Sequence, residues 1–357
     1  SVGERGWHGG QPKHLRTQLK DRRMRHDALV CCGMLLLCFW CLVPGCASDE
    51  TELPSSQPTV STAPEAPGKI LEVDVPSSVD GMLQRALFFS PPVQAPRPLV
   101  VVLHSWSGNY VSDDPLRSGV VEAGWNYIHP DFRGPNRCPD ACLSDKALAD
   151  IDDAIQYALD RSNVDRDAIF VAGASGGGYA ALGAYLRTRH PVTLFLSWVP
   201  ISDLAAWYWQ SRSRNNKYAE DILLCTAPTG VYDDAAARAR SPLYWDIPDR
   251  SRGRLEIFAG IHDGYTGSVP VSHSVLFFNK LAAYFERPDA RVPDADLIRL
   301  LSREVDPDPA SGKMEGRAVI YQRNMPEASL TLFEGGHELL ADYCLARMKE
   351  AAAGEKK

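Results

Sequence analysis

The chain has 357 residues, 45% of them hydrophobic and 23% charged, with a formal net charge of −7. Those fractions are ordinary for a folded globular protein. Acidic and basic residues are mixed after residue 70 and form no basic stripe, which excludes nucleic acid as an expected partner.

The first 46 residues differ from the rest. Lys13, Arg16, Lys20, Arg22, Arg23 and Arg25 form a basic block before an apolar run from Ala28 to Val43. That run is roughly 16 residues, short of the about 20 a membrane-spanning helix needs. A basic block before a short apolar core predicts an export signal. The run ends in Val43-Pro44-Gly45-Cys46, which resembles a bacterial lipoprotein signal with Cys46 as the lipidated residue. The expectation is an exported protein anchored to membrane lipid, facing the periplasm or cell exterior. An uncleaved anchor and simple secretion are the alternatives. Residues 47–68 are rich in Ser, Thr, Pro and acidic side chains, too polar to bury a core, and predict a flexible tether. Residues 69–357 then make one domain of about 290 residues.

From Lys69 the pattern becomes periodic. Lys69–Val75 and Met82–Phe89 predict two antiparallel strands joined by a polar turn over Pro76–Gly81. Leu99–Leu103 is a solid apolar run, as expected of a strand buried on both faces. Asn126–Pro130 is a short strand. A helix over Ser144–Arg161 puts Leu148, Ile151, Ile155, Ala158 and Leu159 on one face. Ala168–Ala174 predicts a buried strand and Gly176–Arg187 a small-residue helix. Leu194–Val199, Leu255–Ile261 and Ser329–Phe333 are further buried strands, and a last helix spans about Glu338–Glu350. Buried strands alternating with amphipathic helices predict an α/β fold, a mostly parallel twisted sheet of about eight strands with helices on both faces. The long stretches Ser202–Arg254 and Pro288–Ala328 predict partly helical excursions over the carboxyl ends of the strands. Trp207, Tyr208 and Trp209 in the first are either core or one wall of a substrate site.

Nine cysteines are present, four of them beyond Cys46. Cys138 and Cys142 lie four apart around Pro139, and a local disulfide is expected in an oxidising compartment. Zinc is disfavoured because no second ligand pair has suitable spacing. Cys225 and Cys344 either pair or remain buried thiols.

The strongest chemical signal is Gly173-Ala174-Ser175-Gly176-Gly177, a G-x-S-x-G nucleophile elbow between a buried strand and a helix. A turn this tight tolerates no bulk beside the serine, and Gly173, Gly176, Gly177 and Gly178 supply none. The competing reading, a phosphate-binding turn, needs a Lys-Ser/Thr pair or G-x-G-x-x-G spacing, and neither is here. A serine hydroxyl needs a base. His337, in Glu334-Gly335-Gly336-His337 directly after the last strand, is the expected base. His273 falls in a helix, and His262 adjoins the acid. Asp263 ends the preceding strand and is the expected acid, holding the imidazole tautomer; its plainer reading is an Asp-Gly turn. Asp289, Asp294, Asp296, Asp306 and Asp308 lie in the excursion and are weaker candidates. The loop His104-Ser105-Trp106-Ser107-Gly108 follows the first central strand, so the backbone N–H groups of Trp106 and Gly176 form the expected oxyanion hole. His104 is expected to tie that loop down. No metal or organic cofactor is required by this chemistry.

With these residues placed, residues 95 to 345 resemble the catalytic domain of the prolyl oligopeptidase (S9) family of α/β-hydrolases. The matching segments are Pro130-Asp131-Phe132-Arg133-Gly134, Asp150-Ile151-Asp152-Asp153-Ala154, Gly173 through Tyr179, Ser241-Pro242, and Gly335-Gly336-His337-Glu338. The resemblance implies Ser175, Asp263 and His337 as the triad, and a serine peptidase acting through an acyl-enzyme. Peptidases of that family carry a β-propeller for which this chain has no room. Its propeller-less relatives are often esterases, including polysaccharide deacetylases. A carboxyl-ester hydrolase is therefore the alternative, and a non-catalytic surface-tethered binding module the third. The expected partner is a small ester or peptide substrate.

Overall fold

The computed structural model describes residues 68–227, 229–250, 253–307 and 311–354. The export signal, Cys46 and all of the tether but Gly68 lie outside the described residues.

Among the described residues the strands are β1 (Leu71–Pro76), β2 (Leu83–Phe89), β3 (Arg97–Leu103), β4 (Asn126–Pro130), β5 (Val164–Ala174), β6 (Leu194–Trp198), β7 (Arg254–Gly260), β8 (Lys313–Met314), β9 (Arg317–Asn324) and β10 (Ala328–Phe333). The helices are α1 (Arg117–Glu122), α2 (Asp145–Arg161), α3 (Gly176–Arg187), α4 (Leu204–Ser213), α5 (Tyr218–Thr226), α6 (Asp234–Ala239), α7 (Ser272–Tyr284), α8 (Asp294–Ser302) and α9 (Ala341–Ala352). The strands form one sheet in the order β1-β2-β4-β3-β5-β6-β7-β10-β9-β8. The run from β4 through β10 is parallel, and the edges are antiparallel.

This order follows from the residues. β6 is wholly buried and β3 and β7 nearly so, as parallel strands covered by helices must be. β1 alternates between exposed and more buried side chains, the pattern of an edge strand with one wet face. On α2, the Ser144 hydroxyl caps the helix by accepting from the Ala147 N–H at 3.0 Å, and Ile151, Ala154, Ile155 and Ala158 are buried against the sheet. α3 is buried along its length because its small residues let backbone approach backbone. A Cβ on Gly178 would lie 2.5 Å from the Trp198 carbonyl oxygen.

A buried ion pair holds the amino-terminal hairpin to the parallel core. The Arg133 guanidinium, its side chain 4% exposed, donates to Asp150 Oδ2 at 2.5 Å, to both Asp80 carboxylate oxygens at 2.9 Å and to the Ser77 hydroxyl at 2.9 Å. This fork is bidentate on Asp80, which holds its carboxyl below the usual range.

Two expectations are corrected. The sheet has ten strands rather than about eight, because the second excursion contributes β8 and β9. β9 pairs antiparallel with β10 near the sheet edge, and its mixture of buried Val319 and Ile320 with Arg317, Gln322 and Arg323 lacks the solid apolar run of a central strand. The local cysteine pair does not form. Cys142 is bonded instead to Cys225 on α5, with Cα atoms 6.2 Å apart, while Cys138 and Cys344 are free thiols. The turn closed by the Ala141 N–H on the Cys138 carbonyl leaves Cys138 half-buried, and the left-handed backbone at Cys142 (φ 50°) accompanies its complete burial. No helix of the described residues is long and apolar enough to cross a membrane.

Candidate active site

The carboxyl ends of β3, β5, β7 and β10 carry the four segments singled out from the sequence. In open α/β sheets this edge is where ligands bind.

Ser175 sits between β5 and α3 with φ 58° and ψ −117°, a conformation strained for a residue with a Cβ. Its N–H donates to the Trp198 carbonyl at 2.9 Å, which locks the bend to the neighbouring strand. The surrounding glycines are a steric requirement. A Cβ on Gly173 would fall 2.5 Å from the Gly177 carbonyl, and one on Gly177 2.1 Å from the Leu103 carbonyl oxygen. Ser175 stays partly exposed at the amino end of α3.

The loops after β7 and β10 are in close contact. The Ile261 and His262 N–H groups donate to the Phe333 and Gly335 carbonyls at 2.9 and 3.0 Å. A Cβ on Gly260 would meet the Gly336 carbonyl oxygen at 2.2 Å. This contact brings His337 Nδ1 to 2.7 Å from Asp263 Oδ2. Asp263, its side chain 1% exposed, also accepts on Oδ1 from the Gly264 and Val269 N–H groups at 2.9 and 3.0 Å. A buried carboxylate with three donors is held in one orientation and fixes the protonated tautomer of the ring beside it. Nδ1 then carries the proton and Nε2 is left to accept one. The loop that follows covers the pair, since a Cβ on Gly267 would come within 2.3 Å of Asp263 Oδ1 and 2.6 Å of His337 Cβ. Glu338 lies outside the last helix, which begins at Ala341. Its carboxylate accepts from the Gly336 N–H at 3.0 Å and from both Arg317 terminal nitrogens at 2.8 and 2.7 Å, bracing the His337 loop.

The other histidines have different duties. His262 Nε2 is 2.6 Å from Glu334 Oε1 on the rim. His273 is buried on α7; its Nδ1 accepts from the Ser202 N–H at 3.2 Å, so Nε2 donates to Gln210 Oε1 at 2.9 Å. Burial pushes its pKa down to about 4. His104 lies stacked 3.9 Å from Phe132, with Nε2 2.6 Å from the Asp131 carbonyl oxygen, and burial holds the imidazole below its usual value. That anchors the loop in the manner expected. Of the weaker acid candidates, Asp296 accepts from the Tyr321 hydroxyl at 2.8 Å, and Asp308 lies outside the described residues.

Trp106 follows that anchored loop. Its ring is 2% exposed and packs edge-on at 4.8 Å against Trp207. Its indole N–H donates to Asp221 Oδ2 at 3.1 Å, and its carbonyl accepts from the Asn136 N–H at 2.8 Å. Among the described residues its own backbone N–H donates to no protein acceptor. Gly176, the first residue of α3, has an N–H without an intrahelical acceptor. The two backbones touch, for a Cβ on Gly176 would sit 2.2 Å from Trp106 N. Two free N–H groups beside a serine can stabilise developing negative charge on an oxygen.

Trp207 and Tyr208 are buried. Trp207 stacks at 4.7 Å on Tyr218 and donates to the Ser268 carbonyl, and Tyr208 stacks at 4.2 Å on Tyr232. Neither offers a ring face to solvent, so the core reading describes both. Trp209, half exposed, is the one of the three still open to a ligand. Sequence reading missed Gly267, Glu338 and Asn136, whose roles depend on what lies opposite them in space.

Residues 120–292 match the model of the prolyl oligopeptidase family, peptidase S9. No curated protein matches the chain. Among solved structures, an acylaminoacyl peptidase in complex with Z-Gly-Gly-Phe-chloromethyl ketone superposes with a TM-score of 0.55 at 14% identity, over 82% of this chain and 42% of that one. The uncomplexed acylaminoacyl peptidase of Pyrococcus horikoshii gives 0.54 at 14%, over 81% and 41%. A puromycin-hydrolyzing peptidase of Mycobacterium tuberculosis gives 0.53 at 17%, over 80% and 38%. The chain thus spans less than half the length of each, and at these identities the likeness is one of fold. By its sheet, its elbow and the family match, the chain has the α/β-hydrolase fold, and its domain resembles the catalytic domain of the prolyl oligopeptidase family.

Proposed function

We propose that the protein hydrolyses a peptide-type acyl bond through an acyl-enzyme on Ser175, with His337 as general base and Asp263 as its orienting acid. The observation that carries this reading is the 2.7 Å contact between His337 Nδ1 and buried Asp263, at the same carboxyl edge of the sheet as a serine held in a strained bend. Ser175 Oγ attacks the carbonyl carbon as His337 Nε2 takes its proton. The Trp106 and Gly176 N–H groups hold the resulting oxyanion. Collapse of the tetrahedral species breaks the bond to the leaving group, which takes the proton from His337. Water, deprotonated by His337, then attacks the acyl-serine, and Ser175 recovers its hydrogen. The family match over residues 120–292 supports a peptidase-type substrate. The Cys142–Cys225 disulfide supports an oxidising compartment, in keeping with the export signal read at the amino terminus.

Ser175→Ala is expected to abolish both hydrolysis and labelling by a fluorophosphonate probe. Labelling that persists in the variant removes Ser175 as the nucleophile. A wild-type protein that neither labels nor turns over any substrate would instead be a binding module. Comparison of short peptide 4-nitroanilides with 4-nitrophenyl acetate separates the two enzyme readings: ester turnover with no amide turnover would make the protein a carboxyl-ester hydrolase.

A further inference from the structure

We propose that Asp221 is a positioning residue for the oxyanion hole, and that the Cys142–Cys225 disulfide holds it to that task through a closed circuit of contacts; this rests on the oxyanion reading above. The Trp106 N–H lies on a loop, in neither strand nor helix, and a Cβ on Gly176 would sit 2.2 Å from its nitrogen. A placement error of about 1 Å at a reacting centre can cost about a hundredfold in rate. Whatever fixes Trp106 therefore bears on catalysis.

Trp106 is fixed at two atoms by polar partners. Its carbonyl accepts from the Asn136 N–H at 2.8 Å, and its indole N–H donates to Asp221 Oδ2 at 3.1 Å. These partners come from separate segments, the loop after β4 and helix α5, and the two segments are joined to each other. Asn136 Oδ1 accepts from the Cys142 N–H at 2.8 Å, and Cys142 is bonded to Cys225. Cys225 stands four residues beyond Asp221 on α5, so both side chains leave the helix on one face. The circuit thus runs from Trp106 through Asn136, Cys142, Cys225 and Asp221 back to Trp106.

The disulfide is the member of this circuit that fastens the carboxyl end of α5. Cys142 has further ties, since its carbonyl accepts from the Tyr179 hydroxyl on α3 at 3.1 Å and from Arg240 at 3.3 Å. The amino end of α5 has its own, the stack of Tyr218 on Trp207 and the Lys217 ammonium on the Ser107 hydroxyl at 2.9 Å. Half-buried Asp221 lies between these fastenings. A buried indole needs an acceptor for its N–H wherever it sits. What gives this acceptor a catalytic meaning is that the same residue carries the free backbone N–H beside Gly176.

The test measures kcat and KM per Ser175 titrated with a fluorophosphonate, which removes the contribution of any unfolded protein. Asp221→Ala, and separately Cys142→Ala combined with Cys225→Ala, are each expected to lower kcat by about tenfold or more while KM changes by less than about threefold. The double cysteine variant removes the bond without leaving Cys142 to pair with Cys138. Asp221→Asn keeps an acceptor oxygen for the indole and is expected to restore kcat to within about threefold of wild type. In a Trp106→Phe background, which keeps the backbone N–H and loses the indole donor, Asp221→Ala is expected to have no further effect. Wild-type kcat in Asp221→Ala, an Asp221→Asn loss as large as that of Asp221→Ala, or an undiminished Asp221→Ala effect in the Trp106→Phe background overturns the proposal. Mass-spectrometric hydrogen exchange over 104–110 and 134–138 reads the same brace without turnover, and both Asp221→Ala and the double cysteine variant should speed it by about tenfold. Exchange unchanged in either variant breaks the circuit. If the wild type turns over no substrate, the acyl-enzyme reading falls, while the exchange comparison still decides the brace.

Discussion

A hydroxyl, an imidazole and two backbone N–H groups are useful only where their neighbours fix them, and here the fixing is done largely by what is missing from glycines. The absent Cβ of Gly176 lets α3 begin against the Trp106 backbone, which is how two N–H groups come to lie side by side. Gly176→Ala would place a carbon 2.2 Å from Trp106 N and force that loop away. The expected result is a loss in kcat of about 10²- to 10³-fold, the scale of removing one oxyanion donor. Fluorophosphonate labelling of Ser175 would be slowed but retained. A variant with wild-type kcat would show that the Trp106 and Gly176 pair does not hold the oxyanion. The elbow at Ser175 and its glycines were legible in the sequence because the elbow is a local motif, and the meeting of His337 with Asp263 because each directly follows a buried strand. The bracing by Glu338 and the cover by Gly267 were not, because neither residue has a local signature for its partner.

The Ser202–Arg254 stretch is a long connection that would be loose without an anchor. It carries α4, α5 and α6, and the Cys142–Cys225 bond ties α5 to the loop ahead of α2 across a separation of 83 residues. Closing so long a loop removes much of the unfolded chain's freedom. Cys225→Ala is expected to lower stability by about 2–4 kcal/mol. Guanidinium unfolding under non-reducing conditions reads this as a lower midpoint with similar cooperativity, and an unchanged midpoint would show that the bond does not staple the excursion. The sequence reading expected Cys142 to pair with Cys138, and Cys225 to pair with Cys344 or remain a buried thiol. Proximity in the chain was a poor guide because the turn at Cys138 and the inward course at Cys142 send the two side chains apart. The core strands were legible for the opposite reason. Each is an uninterrupted apolar run, whereas β9 near the edge mixes buried and charged residues and reads as loop.

Across the whole molecule, charge is buried in several places, and acid should find them. His104, His129 and His273 are held neutral by burial, His273 at about 4. The unfolded chain binds protons on such groups near pH 6.5. A depressed histidine therefore contributes stability above about pH 6.5 and loses it as the pH falls toward 4. For His273 alone this amounts to about 2 kcal/mol between pH 7.5 and 5. Buried Asp114 and Asp150, whose carboxyls are raised by burial, act in the opposite direction. The histidine contribution is isolated by slope: denaturant midpoints at pH 7.5 and 5 should differ less in His273→Gln than in the wild type, and an equal difference would mean His273 is not the acid-sensitive group.

The sequence by itself determined the order of the core strands with helices α2, α3 and α9 among them, the bend at Ser175 and the identity of the residues that follow β7 and β10. Those features depend on backbone sterics and on apolar periodicity, which act over a few residues. Tertiary structure alone decided which cysteine Cys142 meets, that β9 extends the sheet, that Trp207 and Tyr208 are core, and that Asn136 is buried with its side-chain oxygen on the Cys142 N–H. Each of these depends on which surfaces become neighbours once the sheet closes its hydrogen bonds, and a contact between residues far apart in the chain leaves no periodicity to read.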